Sequence, residues 1–469
     1  MKACKKRFKD FIASVSHSSG TTIRSAAIIA LILRELVEAG ASIINTGIGW
    51  HEARIPTIGM MVPRAAFSWV TGKLRPHLNI PVITSNRIND PNVAENLLRD
   101  GIADLVSMAR PLLADENFVK KTAEGRSEEI NTCIACNQAC LDHLFQMKTA
   151  TCLVNPRAGR ETELNYEITS EQKKIAVVGA GPAGMTVAYI SAMRGHKVTL
   201  FDQRSELGGQ INLAVKIPGK QEFNELKRYY AVMLRKFDVE IKLAQVVTRQ
   251  TLVDGNFDAV VLATGVTPRR LELEGANHPK VLSYLDVLDE ECRVGHKVAI
   301  IGAGGIGIDV AHFLTAQNPF SGEVPEYLNG YGILDSEEAM ALLKPKKREV
   351  TVIQRSTDKI GKKLGKTTGW AHIQTLKSHG VKFLSGAKYL KINDSGLHLE
   401  VSLKKGEDPQ EIVMEVDNII VAAGQDPHTE LVDSLRGSGL DMHIIGGAKL
   451  SSGLDAKTAI NDGAELGAK

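Results

Sequence analysis

The chain has 469 residues, 43% of them hydrophobic and 24% charged, with a formal net charge of +3. That length suits about three globular domains with buried cores, and so slight a charge leaves no electrostatic footprint for nucleic acid. The longest apolar stretch, Ala26 to Val37, is broken by Arg34 and Glu35 and is too short for a bilayer, so no membrane partner is expected.

Residues 1–30 carry Lys, Arg and Ser without a strand pattern and read as an atypical N-terminal segment. Between 31 and 130 the pattern alternates helix and strand, with strands predicted at Ser42–Thr46, Pro81–Asn86 and Asp104–Ala109. Such alternation implies parallel βα units and an α/β fold class, with units of the kind that build a TIM (β/α)8 barrel. Barrels hold ligands at the carboxyl ends of their strands, where Asn86, Arg87, Ala109 and Arg110 stand. Three units fall short of the eight that close a barrel. An open parallel edge with an apolar face calls for a partner, such as a chain supplying the missing barrel half.

The segment 131–170 holds Cys133, Cys136, Cys140 and Cys152, with two, three and eleven residues between them. Soft thiolates select an iron–sulfur cluster or zinc, and the spacing alone admits both. With no secretory leader pattern and few cysteines elsewhere, a reducing cytoplasm is expected rather than disulfides. Cys4 and Cys292 stand apart as ordinary thiols.

From 171 to 295 the chain reads as strand (Lys174 to Val178), glycine loop (Gly179, Gly181, Gly184), helix and second strand ending on Asp202. Glycines there permit a tight turn and close approach to a pyrophosphate at the helix N-terminus, while the acid can bind ribose hydroxyls. From 296 to 425 the pattern recurs as Gly302, Gly304 and Gly307 after Lys297 to Ile301. Two dinucleotide sites imply a flavin and a nicotinamide. The second strand of this copy ends on Arg355 rather than an acid, and a guanidinium suits the 2′-phosphate of NADPH. Residues Gln317 to Arg348 read as a surface insertion, and 426–469 as a return to the first dinucleotide domain.

Several segments together carry a resemblance: Asn131 to Cys140, Gly47 to Thr57, Phe257 to Gly265 and Asp417 to Gly424. With them the chain resembles the bacterial NADPH-dependent 2,4-dienoyl-CoA reductases, an old yellow enzyme-like barrel joined to an iron–sulfur flavoprotein. The resemblance implies FAD, FMN, a 4Fe-4S cluster and NADPH, with electrons passing in the order NADPH, FAD, cluster, FMN, dienoyl-CoA in unsaturated fatty acid β-oxidation. It implies that His51 stabilises developing charge on the substrate thioester and that Arg54 contacts substrate. It also implies that Arg87, Ala109 and Arg110 serve FMN, and that Ala183, Asp202, Gln210 and Lys220 serve FAD beside Gly209, Gly265 and Gly447. Two departures stand out. The family's first barrel strands and protonating tyrosine have no counterpart in residues 1–29, and Lys449 follows Gly447 where related flavoproteins commonly carry an aspartate. The alternatives are an NADPH:acceptor diaphorase or a nucleotide-binding fragment without turnover.

Overall fold

The computed structural model describes residues 22–49, 55–289, 292–316, 348–401 and 408–469. They fall into two compact units, one ending at Asn137 and one beginning at Gln138.

In the first unit, strands Ile44–Asn45, Val82–Thr84 and Leu105–Val106 form a parallel sheet in that order. The middle strand is buried at Val82 and Thr84, as a parallel strand covered on both faces should be. A buried hydroxyl chain ties it to its neighbours, Thr46 meeting Thr71 at 2.5 Å and Thr71 donating to Thr84 at 3.0 Å. The strands are shorter than the sequence implies because their ends turn away. Asn86 and Arg87 adopt left-handed backbone, with φ of 73° and 57°, which ends the ladder. Ala109 likewise leaves the sheet and caps the short helix Arg110–Ala114.

The second unit contains two five-stranded parallel sheets. The first runs Met442–Ile444, Ala259–Leu262, Lys174–Val178, Lys197–Phe201, Glu240–Lys242. The second runs Lys382–Ser385, Glu349–Gln354, Lys297–Ile301, Asn418–Val421, Val281–Ser283. In both, the central strand carries one exposed Lys followed by four buried residues, the continuous apolar run of a sheet covered on two faces. Helix Pro182–Met193 packs on the first sheet, and helix Ala456–Gly467 packs closely against it. Gly463 permits it, since a Cβ there would sit 2.4 Å from the Ala183 carbonyl oxygen. An antiparallel meander, Lys388–Asn393, Gly396–Val401 and Gln410–Met414, covers one face of the second sheet through Leu397, Leu399 and Val401. Two short antiparallel strands, Val266–Pro268 and Gln425–Pro427, join the two halves.

Among the described residues, no helix is long and apolar enough to cross a membrane.

Candidate functional site

The site grows from the first glycine loop. Gly179 has a φ of 110°, and a Cβ there would lie 2.3 Å from the Ala263 carbonyl oxygen, so only glycine fits the turn. Gly184, inside the helix, would place a Cβ 1.8 Å from the Gly179 carbonyl oxygen, and this close approach seats helix against strand. At Gly181, by contrast, nothing stands within 4 Å of a Cβ. The backbone is bare on that side, as a loop that cradles a pyrophosphate requires. Asp202 supports the loop from the neighbouring strand, its carboxylate accepting from the Ala180 amide at 2.6 Å and from the Arg204 amide at 2.8 Å.

Other expected flavin-site residues gather there. The Gly208 amide donates to the Ala180 carbonyl at 2.9 Å, and a Cβ on Gly209 would come within 2.8 Å of the Gly181 Cα. Gly446 lies against Ala183, and Gly447 against Gly265 and Val266. Gly265 has open space where a side chain would be, and Lys449 points its neighbourhood to solvent, being exposed. Gln210 accepts from Gln425 at 3.3 Å, and Gln425 also donates to the Tyr284 hydroxyl at 2.7 Å. Lys220 is placed differently from its fellows: its ammonium pairs at 2.6 Å with Asp309, on the helix of the second glycine loop.

That second loop repeats the first closely. Gly302 has a φ of 113° and would set a Cβ 2.3 Å from the Ala422 carbonyl oxygen. Gly307 would set one 1.8 Å from the Gly302 carbonyl oxygen, while Gly304 and Gly305 have nothing within 4 Å. Arg355 follows the adjacent strand Glu349–Gln354 and is exposed.

Sequence reasoning missed a buried polar group behind this loop. His312, 5% exposed, lies edge-to-face with His372 at 5.2 Å between ring centroids. Burial holds His312 well below the usual imidazole range and His372 down to about 4, with Lys220 adding to both effects. The sign is that of a neutral base sealed in the folded state. Its contribution is complete above the unfolded value of 6.5 and is lost as pH falls toward 4. We expect the His372 contribution, at most about 3 kcal/mol, to fade over that window, and His372→Phe to flatten the pH profile of the denaturation midpoint.

In the first unit, Arg87 is buried and donates to the Val62 carbonyl at 2.7 Å. Arg110 donates to Asn137 at 2.5 Å and to the Ile58 carbonyl at 2.8 Å. Asn86, at the carboxyl end of the middle strand, donates to the Ile48 carbonyl at 2.7 Å and accepts from its amide at 3.1 Å, pinning two strand ends together. His51 and Arg54 lie outside the described residues, as do Cys4 and the insertion up to residue 347.

Among the described residues none of the four clustered cysteines forms a disulfide; Cys133 is buried and the other three are half-buried. The boundary between the two units falls after Cys136 and before Cys140. Left-handed backbone at Ala135 and Asn137 bends the chain sharply around Cys136, and Asn89 donates to the Cys133 carbonyl at 2.7 Å. In the second unit the Thr151 amide donates to the Ala139 carbonyl at 2.9 Å, which draws the neighbourhoods of Cys140 and Cys152 together. Among the described residues, no group of three or more His, Cys, Asp or Glu is arranged to hold a metal ion. Asp142, just after Cys140, is buried and accepts from the Thr367 amide at 2.9 Å and its hydroxyl at 2.8 Å. Thr367 in turn accepts from the Trp370 indole through its carbonyl at 3.1 Å, which holds the ring at the start of the helix Gly369–Ser378.

Known proteins share this arrangement. Residues 173–454 match the pyridine nucleotide-disulphide oxidoreductase family, and residues 13–129 match the NADH:flavin oxidoreductase / NADH oxidase family. A metal reductase of Desulforamulus reducens is 36% identical over 415 residues, 88% of this chain and 61% of that protein. A cinnamate reductase of Clostridium sporogenes is 30% identical over 424 residues, 88% of this chain and 57% of its own length. Among solved structures, a 2-naphthoyl-CoA reductase in complex with 2-naphthoyl-CoA superposes with a TM-score of 0.82 at 28% identity, covering 94% of this chain and 62% of that one. The chain thus spans about three-fifths of the length of the relatives it matches. With two glycine loops of matching geometry across residues 173–454, the chain belongs to the pyridine nucleotide-disulphide oxidoreductase family, preceded by an NADH:flavin oxidoreductase segment.

Proposed function

We propose that the chain is the electron-input part of an NADPH-dependent flavoprotein reductase whose substrate is a 2,4-dienoyl-CoA. The observation that carries this reading is the pair of loops at 179–184 and 302–307, open at Gly181 in the first and at Gly304 and Gly305 in the second, where a dinucleotide backbone can approach. When bound, FAD, FMN and a 4Fe-4S cluster would supply the carriage of electrons from the nicotinamide to the conjugated double bond.

Gly179, Gly181 and Gly184 would hold the FAD pyrophosphate, with Asp202 toward the ribose and Gly209, Gly265 and Gly447 keeping side chains out of its path. Gly302, Gly304 and Gly307 would do the same for NADPH, and Arg355 would fork onto the 2′-phosphate. Cys133, Cys136, Cys140 and Cys152 would ligate the cluster. Arg87, Arg110 and the Ala109 amide would take the FMN phosphate, while His51 donates to the thioester carbonyl and Arg54 orients the acyl chain. Further barrel strands, from a partner chain, would complete the FMN site. The acyl-CoA assignment is supported by the likeness to 2-naphthoyl-CoA reductase.

Removing the guanidinium tests the nucleotide choice. Arg355→Ala is expected to lower kcat/KM for NADPH by about ten- to a hundredfold and leave NADH nearly unchanged, in line with the loss of charge-assisted bonds. Equal losses with both nucleotides would refute the assignment. The substrate is tested by anaerobic NADPH oxidation with 2,4-dienoyl-CoA against ferricyanide.

A second reading has its own support in the metal reductase relative. There the FAD and nicotinamide half serves as an NAD(P)H:acceptor diaphorase that gives electrons to metal ions or artificial acceptors. Ferricyanide turnover without any dienoyl-CoA turnover in the complete assembly would favour it.

A further inference from the structure

The strand beside the second glycine loop departs from its counterpart in the first sheet at one position. In the first sheet Val178, the residue before Gly179, pairs with Phe201, and the residue after Phe201 is the acid Asp202. In the second sheet Ile301, the residue before Gly302, pairs with Ile353, and the residue after Ile353 is Gln354. Gln354 therefore takes the place of the acid, and Arg355 stands one residue beyond it. The two side chains are bonded in opposite senses. The Asp202 carboxylate accepts from backbone amides, those of Ala180 at 2.6 Å and Arg204 at 2.8 Å. The Gln354 side-chain nitrogen donates to backbone carbonyls, those of Ser356 at 3.1 Å and Asp358 at 2.5 Å, and lies 3.5 Å from the Ser385 hydroxyl. A carboxylate has no proton to donate and could make neither bond to a carbonyl. The turn 355–358, exposed at every residue, is thus curled round a neutral donor. Its own acid, Asp358, pairs at 2.7 Å with Lys362, which offsets a negative charge three residues from Arg355.

We infer that Gln354 is a specificity-determining residue for NADPH, which acts by fixing the turn that carries Arg355 while bringing no charge to the ribose end of the site. This rests on the NADPH reading of the second loop. An acid in this place would accept from the 2′-hydroxyl of NADH and repel the 2′-phosphate of NADPH, and an uncharged carboxamide removes that repulsion. Tying the turn in advance also lessens the freedom that Arg355 must lose when it pairs with the phosphate.

The test measures dissociation constants of NADP+ and NAD+ for the full chain by calorimetry, with circular dichroism confirming the fold. Gln354→Met removes the donor at similar length, and Gln354→Glu adds the charge as well. The Ser356 carbonyl keeps the Gly386 amide at 3.0 Å in either variant, so the turn should loosen rather than unfold. Gln354→Met is expected to bind NADP+ about tenfold more weakly and Gln354→Glu about a hundredfold, each with NAD+ binding nearly unchanged. In an Arg355→Ala background Gln354→Met should cost nothing further, the mark of a residue that acts through Arg355. Folded variants that keep the wild-type ratio of the two affinities, or lose both equally, overturn the inference. Wild-type protein that binds NADP+ no better than NAD+ would instead defeat the NADPH reading, and the inference with it, so the two failures are distinguishable.

Discussion

Gly307→Ala is expected to stop NADPH from reducing the flavin while FAD stays bound. A Cβ at that position would lie 1.8 Å from the Gly302 carbonyl oxygen, a backbone atom that cannot swing aside. Relief requires the helix Gly305–Thr315 to shift off its strand, which would carry the loop, and the phosphates of a nucleotide bound there, with it. Displacements of this size cost about a hundredfold or more in rate when the moved group positions a reactant. FAD content per chain should be normal, because the Gly179–Gly184 loop is built on a different sheet. The matching change, Gly184→Ala, creates the same 1.8 Å clash at the first loop and should instead empty the protein of FAD. Anaerobic stopped-flow reduction and flavin counts measure both. A Gly307→Ala protein reduced at the wild-type rate would mean that the second loop does not hold the nucleotide.

The second large effect concerns the cysteines. Cys140→Ser and Cys152→Ser are expected to abolish the iron and acid-labile sulfide of the proposed cluster, about four of each per chain if it assembles, and to reduce the proposed dienoyl-CoA turnover of the complete assembly to background. Ferricyanide reduction by NADPH should persist, since that path needs only the two dinucleotide loops. Iron retained at full stoichiometry in both variants would show that these residues are not the ligands. Zinc in place of iron in the wild-type protein would return the site to the structural alternative that the spacing also admits.

What was legible in the sequence is what short-range geometry dictates. The glycine loops are written in six residues each, because turn, open face and helix contact are set by three glycines at fixed offsets. The buried strands before them, Lys174–Val178 and Lys297–Ile301, are equally local and were readable as apolar runs. Contacts between distant segments were not legible. Lys220 looked like a flavin-site residue, yet it pairs with Asp309, 89 positions away, because the two dinucleotide halves meet there. Asp142 reaches Thr367 across 225 positions, and no periodicity records such a link. Strand Val281–Ser283 precedes residue 296 but joins the second sheet beside Asn418–Val421.

The most direct measurement mixes the chain, loaded with FAD alone, with NADPH in an anaerobic stopped-flow instrument and follows bleaching of the flavin band. The account expects rapid, stoichiometric bleaching, slowed by Arg355→Ala and absent in Gly307→Ala. An FAD-loaded wild-type protein that NADPH and NADH both leave oxidised would contradict it.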